Sequence, residues 1–290
     1  MNSQSDGGFF WSVLTNAAPV WTIQMRIVRP KKALGQHFLK DLGIAAAIAD
    51  TVDGCAGIPV LEVGPGTGVL TQFLIEKGRP FKAVELDRES VAFLQGKWTR
   101  EVAGDWLVEG DFLRLDLAGL FDGGPFVLTG NYPYNISSQI FFKMLDNMDL
   151  VPCCTGMLQR EVAMRLCAAP GNKSYGILSV LVQAWYDAEY LFTVRPEVFD
   201  PPPKVHSAVI RLTRNGRTGL GCDAALFRRI VKATFNQRRK MLRNSIRSCI
   251  EGDVPLPPNP WMERRPEQLS VQDFIELTNL VSGCLKDGKG

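Results

Sequence analysis

Histidine is scarce in this chain: two occur in 290 residues, and the seven cysteines (55, 153, 154, 167, 222, 249 and 284) include no C-x-x-C pair. Those shortages exclude a Cys/His zinc module, and the odd, irregular cysteine set excludes a disulfide framework. Free thiols suit a reducing compartment, so a cytoplasmic protein without a bound metal is expected. Long apolar runs are missing as well. Residues 9–25 carry no charge, but Asn16 and Pro19 interrupt them and no basic stretch precedes them, so neither a membrane span nor a signal peptide is expected. Residues 1–24 read instead as a poorly ordered extension, with Met25 as the natural first residue. Charge is nearly balanced at +3, and the total alone names no partner.

What is present is an alternation of short apolar strands and helices. Strands are expected at 59–63, 81–85, 106–109, 126–129, 153–159, 191–194 and 207–212, with helices between them at 69–77, 88–97, 136–147, 160–168 and about 175–186. That order predicts an α/β fold with a mostly parallel sheet. Asp41 can cap a helix in which Ile44, Ala45, Ile48, Ala49 and Val52 recur at helical spacing. After about Thr218 the pattern is purely helical, with helices expected at 223–250 and 270–284 and a proline-rich break at 255–260. The chain therefore divides into 25–217, an α/β unit, and 218–290, a smaller helical unit.

Three strand ends carry chemistry. The first runs into Gly64-Pro65-Gly66-Thr67-Gly68, whose glycines let backbone approach a ligand and turn into a helix. Counting from Gly64 or Gly66 puts Val69 or Thr71 where a dinucleotide fingerprint wants glycine, and no Gly-Lys-Ser/Thr follows; both omissions argue against a nicotinamide or polyphosphate ligand. Glu85 ends the second strand, placed to accept ribose hydroxyls, and Asp111 follows the third. An acid at one strand end is commonly a helix cap, but two behind a glycine loop point to a nucleoside. S-adenosylmethionine is a nucleoside of this kind, with an intrinsic methyl donor.

The fourth strand ends in Asn131-Tyr132-Pro133-Tyr134. An amide oxygen and a backbone carbonyl can accept the two hydrogens of an exocyclic amine, a tyrosine ring can stack on the base, and Pro133 fixes the direction of the turn. An incidental strand-to-helix turn is the plain alternative.

With these motifs in view, the chain from Arg26 onward resembles the ribosomal RNA adenine dimethyltransferases, the KsgA family of class I methyltransferases with a Rossmann-like sheet. The resemblance rests on Leu34-Gly35-Gln36-His37-Phe38-Leu39, Glu62 to Gly68, Glu85-Leu86-Asp87, Gly110-Asp111, Gly130 to Asn135, Phe199 to Val205, and Phe235-Asn236-Gln237-Arg238-Arg239-Lys240. It implies donor contacts from His37, Leu39, Gly64, Gly66, Glu85, Leu86, Asp111, Phe112 and Asn131. The family often has Asn at the position of His37. Catalysis would fall to Asn131, Pro133 and Tyr134, with Phe199 stacking on the second face of the base; without the resemblance Phe199 reads as a core residue. His206 reads as structural.

Between residues 201 and 250 stand twelve Lys and Arg against one acid, Asp223. On one continuous helix, Arg228, Lys232, Arg239, Arg243 and Arg247 would share an arc of roughly 100°; Arg238 and Lys240 adjoin it. A solvated face normally mixes signs, so this stretch is a candidate RNA-binding surface, with the basic segment 26–40 as a second arm. The implied partner is 16S RNA of the small ribosomal subunit, approached by a monomer with no membrane association. Large-subunit methyltransferases conferring antibiotic resistance and non-catalytic RNA-binding relatives share the fold. The intact Gln36-His37-Phe38-Leu39 and Gln237-Arg238-Arg239-Lys240 segments favour the small-subunit activity over the first, and the intact glycine, acid and Asn-Tyr-Pro-Tyr motifs favour it over the second. A DNA adenine methyltransferase leaves the helical tail unexplained.

Overall fold

The computed structural model describes residues 28–55, 57–98, 104–249 and 259–287; the expectation for residues 1–24 lies outside them. A seven-stranded sheet runs through the larger unit. Its strands are β2 (Val60–Val63), β3 (Phe81–Glu85), β4 (Leu107–Glu109), β5 (Val127–Thr129), β6 (Cys153–Gln159), β7 (Tyr186–Val194) and β9 (Ser207–Arg214). The order across the sheet is β4-β3-β2-β5-β6-β9-β7. β2 through β6 pair in parallel, whereas β9 is antiparallel to both β6 and β7. A separate two-residue pair joins β1 (Phe38–Leu39) to β8 (Phe199–Asp200). This is the α/β, mostly parallel sheet expected, in the class I methyltransferase order.

Helices cover both faces: α1 (Leu42–Asp50), α2 (Thr71–Glu76), α3 (Arg88–Lys97), α4 (Ser137–Asp146), α5 (Arg160–Leu166) and α6 (Ile177–Gln183). Acidic side chains cap two of these helices, Asp41 as expected. Asp41 accepts from Ile44 N at 3.0 Å, and Asp87 accepts from Glu89 N at 3.3 Å, satisfying amides that have no partner in a first turn. The central strands are buried on both faces, as parallel strands between helical layers must be: β2 and β5 throughout and β6 up to Leu158, whereas the edge strand β4 is partly exposed.

The expected helix at 175–186 is shorter, ending at Gln183, because β7 already begins at Tyr186. Cross-strand pairing with β9, starting at Tyr186 opposite Arg214, outweighs the local helical pattern.

Beyond β9 the chain is helical: α7 (Ala224–Asn236), α8 (Leu242–Ser245) and α9 (Val271–Asp287). In α7, Leu226, Phe227, Ile230, Val231, Thr234 and Phe235 are buried in one stripe. They share a hydrophobic cluster with Phe274, Leu277 and Val281 of α9, and with Val180 and Leu181 of α6.

The single helix expected over 223–250 does not form. α7 ends at Asn236, and Met241 is extended (φ −65°, ψ 153°) before α8 starts. Tertiary partners hold the break: Arg238 donates to the Lys173 carbonyl at 2.6 Å and pairs with Glu267, while Leu242 N donates to the Arg264 carbonyl at 2.8 Å. Helix propensity is a weak preference that such contacts override. The 100° arc of basic residues, which needed one continuous helix, is therefore not a single helical face.

Tyr132 locks the end of β5. It is 1% exposed, and its hydroxyl donates to the Thr155 carbonyl at 2.8 Å, with the Leu128 carbonyl at 3.2 Å. Its ring meets Phe141 edge-on. Tyr132→Phe leaves buried carbonyls short of a donor and is expected to cost about 1–3 kcal/mol, read as a lower urea midpoint; an unchanged midpoint would remove this anchor from the account.

Candidate functional site

The sheet order reverses between β2 and β5, which pair directly, with Val60 opposite Val127 and Glu62 opposite Thr129. Their following segments leave in different directions and open a crevice at the carboxyl edge, where open α/β sheets bind ligands. The glycine loop lines one side and Asn131 to Ile136 the other. Residues 34–39 and 110–113 complete a cleft with about 1110 Å³ of empty space, mouth included.

Its floor is acidic. Glu62 is 1% exposed, and its Oε2 accepts the Thr71 hydroxyl at 2.7 Å. Burial pushes its carboxyl up to about 8; the Thr71 hydrogen bond opposes this and the neighbouring Glu85 adds to it. Glu85 also lies above the usual carboxylate range, again through burial, although the amides of Asp87 and Gly66 pull it down. Those amides donate to Oε1 at 2.8 Å and Oε2 at 3.0 Å, so Glu85 clamps the glycine loop to the end of β3. Gly66 has φ 58°, and a Cβ there would stand 2.9 Å from the Phe38 ring; only glycine fits this turn. Asp111 accepts from Leu113 N at 2.9 Å and lies 3.6 Å from the exposed Arg114.

Glu62, Glu85 and Asp111 line the cleft, and among the described residues no Lys or Arg does. Such a lining repels phosphate and suits a neutral or cationic nucleoside, as S-adenosylmethionine with its sulfonium is. Leu86, exposed at the rim, and Phe112, buried, add apolar surface beside the acids.

Across the cleft, Asn131 Nδ2 donates to the His37 carbonyl at 3.0 Å. A carbonyl only accepts, so this contact fixes which end of the amide is nitrogen and leaves Oδ1 as a free acceptor. The Pro133 carbonyl accepts from Ile136 N at 3.2 Å, whereas no described group donates to the Tyr132 carbonyl. Tyr132 N donates to the Met157 carbonyl at 2.8 Å, and Met157 N donates to the Gly130 carbonyl at 2.9 Å, so β6 braces this turn. An amide oxygen and a backbone carbonyl one residue apart can together hold both hydrogens of one amine.

Tyr134 lines the cleft with its hydroxyl against Ser207 Oγ, and burial raises its hydroxyl above the ordinary tyrosine range. Phe199 does not join it. That ring is fully buried beside Leu39, Val194 and Met157, because β8 turns it into the core when it pairs with β1. His37 and Leu39 both lie along the cleft; His206 is exposed elsewhere.

The basic residues are dispersed. Arg228 pairs with Asp146 at 2.6 Å, Arg243 with Glu263 at 2.5 Å, and Lys232 lies 5.6 Å from the Phe142 ring centre. Arg239, Lys240 and Arg247 are exposed. Lys31, in the N-terminal basic segment, is bound to Asp87 at 2.5 Å. A second, open concavity gathers cations that sequence reasoning missed: Arg160, Arg165, Lys173 and Lys204, beside His206 and Arg238. It abuts the cleft, since Arg160 N donates to the His206 carbonyl at 2.9 Å and the next residue, Ser207, holds Tyr134. Lys204, inside the Pro-Pro-Pro-Lys-Val run, was the one visible hint of it.

Among the described residues there is no cluster of His, Cys, Asp and Glu that could hold a metal, and no helix long and apolar enough to cross a membrane.

Comparison with known proteins agrees with this geometry. Residues 27–282 match the family described as Ribosomal RNA adenine dimethylase. The chain is 65% identical over 263 residues to the Ribosomal RNA small subunit methyltransferase A of Phocaeicola vulgatus, covering 91% of this chain and 93% of that one. It is 61% identical over 266 residues to the protein of that name in Parabacteroides distasonis, covering 92% and 99%. Among solved structures, a dimethyladenosine transferase from Plasmodium falciparum is similar with TM-score 0.71 at 25% identity, covering 87% of this chain and 98% of that one. The 23S rRNA methyltransferase ErmE follows with TM-score 0.62 at 25% identity, covering 83% and 99%. Matched by that family over residues 27–282 and by relatives at 61–65% identity over nine-tenths of its length, the protein belongs to the ribosomal RNA adenine dimethylase family.

Proposed function

We propose that this protein dimethylates the 6-amino groups of two adjacent adenosines in a loop of small-subunit (16S) ribosomal RNA during ribosome maturation in the cytoplasm. The observation that carries the reading is the Asn131 amide, pinned by the His37 carbonyl with its oxygen free, across from an acidic cleft without Lys or Arg. The small-subunit target follows relatives of that name at 61–65% identity. The large-subunit alternative has only the 25% likeness to ErmE behind it.

Bound S-adenosylmethionine supplies an electrophilic methyl group on a sulfonium. Gly64, Gly66, Glu85, Leu86, Asp111, Phe112 and the 37–39 segment would hold that donor, Glu85 through the ribose hydroxyls and Asp111 through the adenine amine. The target amine is a poor nucleophile because its lone pair is delocalised into the ring. Asn131 Oδ1 and the Tyr132 carbonyl accept its two hydrogens, which favours a pyramidal nitrogen and points the lone pair at the methyl group. Hydrogen bonds to a centre gaining positive charge are worth roughly 1.5–3 kcal/mol each, and they strengthen in the transition state. No base is needed, because the methylated ammonium is acidic and sheds its proton to water. Tyr134 stacks on the extruded base, worth about 1–3 kcal/mol, which offsets part of the unstacking cost. RNA backbone contacts come from Arg239, Lys240 and Arg247 and from the cation-rich concavity beside the cleft.

Three outcomes test this reading. Asn131→Ala lowers single-turnover methyl transfer at least about 100-fold, while the Kd for S-adenosylmethionine shifts less than about tenfold; full transfer would falsify the lone-pair argument. Glu62 supplies a pH test. Its carboxyl is mainly neutral at pH 7 and charged above about 8, and a cationic donor favours the charged form. Calorimetric affinity for S-adenosylmethionine should therefore rise from about pH 6.5 to 8.5, by at most about tenfold per unit, and Glu62→Gln should flatten that rise. The ligand's own ionisation is common to both proteins, so equal slopes would contradict the argument. Finally, the double variant Arg239→Ala/Lys240→Ala should lower the slope of log affinity for RNA against log salt by roughly 1.4–1.8; an unchanged slope removes both residues from the RNA surface.

A further inference from the structure

Three segments far apart in sequence, 34–39, 131–136 and 199–207, meet at the acceptor side of the cleft. His37, in the first, contacts the other two. The His37 carbonyl receives Asn131 Nδ2 at 3.0 Å, its ring Nδ1 lies 2.7 Å from the Pro201 carbonyl, and its ring centre is 5.3 Å from that of Tyr134 with the planes 35° apart. Since a carbonyl only accepts, Nδ1 carries the hydrogen and donates. That side-chain bond lengthens a very short strand pair. β1 and β8 contribute two residues each, and Lys40 N adds one bond to the Val198 carbonyl at 2.8 Å; His37 extends the connection at its other end.

Tyr134 is thereby held twice, at its hydroxyl by Ser207 on β9 and on its ring by His37. A stacked base needs about 3.5 Å to each neighbouring ring, so it cannot fit between rings whose centres are 5.3 Å apart. With Phe199 buried in the core, no ring other than His37 is packed against Tyr134 among the described residues. We propose that the His37 side chain is a positioning residue for the methyl acceptor: it covers one face of Tyr134, ties that ring to the 199–207 segment, and so fixes the opposite face as the platform for the flipped adenine. The proposal rests on the acceptor reading of this site given above. It adds an acceptor-side task to a residue whose backbone borders the donor.

Substitutions at position 37 keep the backbone carbonyl that orients Asn131, which separates the side chain's part from the amide's. His37→Asn retains a donor in reach of Pro201 but no ring; His37→Phe retains a ring but no donor; His37→Ala retains neither. The measurements are steady-state methylation of under-methylated small subunits, calorimetric binding of S-adenosylmethionine, and quenching of 2-aminopurine placed at the target position of an RNA hairpin. His37→Ala is expected to raise the KM for subunits roughly five- to tenfold and weaken the quenching. Donor Kd should weaken by less than the KM for subunits rises, and Asn and Phe should each restore part of the loss. An unchanged KM and quenching in His37→Ala, or a loss of donor affinity as large as the loss of RNA affinity, overturns the proposal. Wild-type protein inactive on subunits would instead overturn the functional reading beneath it.

Discussion

Everything at the site depends on β2 and β5 lying side by side in parallel register while their following segments diverge. Hydrogen bonding between the two strands is ordinary ladder pairing, with Glu62 opposite Thr129. It forces the glycine loop and the Asn131 turn to emerge next to each other with open space between them. Neither segment could make a methyl-transfer site alone. In the proposed reading the first offers only a place for the donor, and the second only acceptors for an amine. Parallel neighbours that belong to different halves of the sheet bring the two within reach of one in-line displacement.

Charge then decides what enters. Among the described residues three acids line the cleft and no Lys or Arg does; burial, with a smaller push from Glu85, raises Glu62 to about 8. A ligand carrying its own positive charge suits such a lining. Cations are found outside the cleft instead, beside the exit past Ser207 and on the C-terminal helices. In the proposed reading donor and RNA are sorted by sign: a positive small molecule goes to the acidic floor and a polyanion to the basic rim.

Much of the α/β unit was legible in the sequence because its elements obey local rules. β6 at 153–159 and α3 at 88–97 span the residues expected for them. The glycine loop, Glu85 and Asp111 could be found because strand ends are where such sheets bind ligands. What escaped depends on partners distant in the chain. Nothing near residue 237 announces the break after α7; Lys173, Arg264 and Glu267 impose it. Phe199 was expected at the base and lies in the core, because β8 meets β1 some 160 residues earlier. Asn131 could be named as an acceptor of hydrogen bonds, but the direction of its amide required a carbonyl 94 positions away.

The measurement that bears most directly on the central claim is the identity of the methylated nucleoside and its place. The protein would be incubated with labelled S-adenosylmethionine and, separately, under-methylated small subunits, large subunits and DNA, and the products digested and mapped by mass spectrometry. The account predicts N6,N6-dimethyladenosine at two adjacent positions of small-subunit RNA. Label confined to large-subunit RNA or DNA, or on an atom other than the adenine amine, would contradict it.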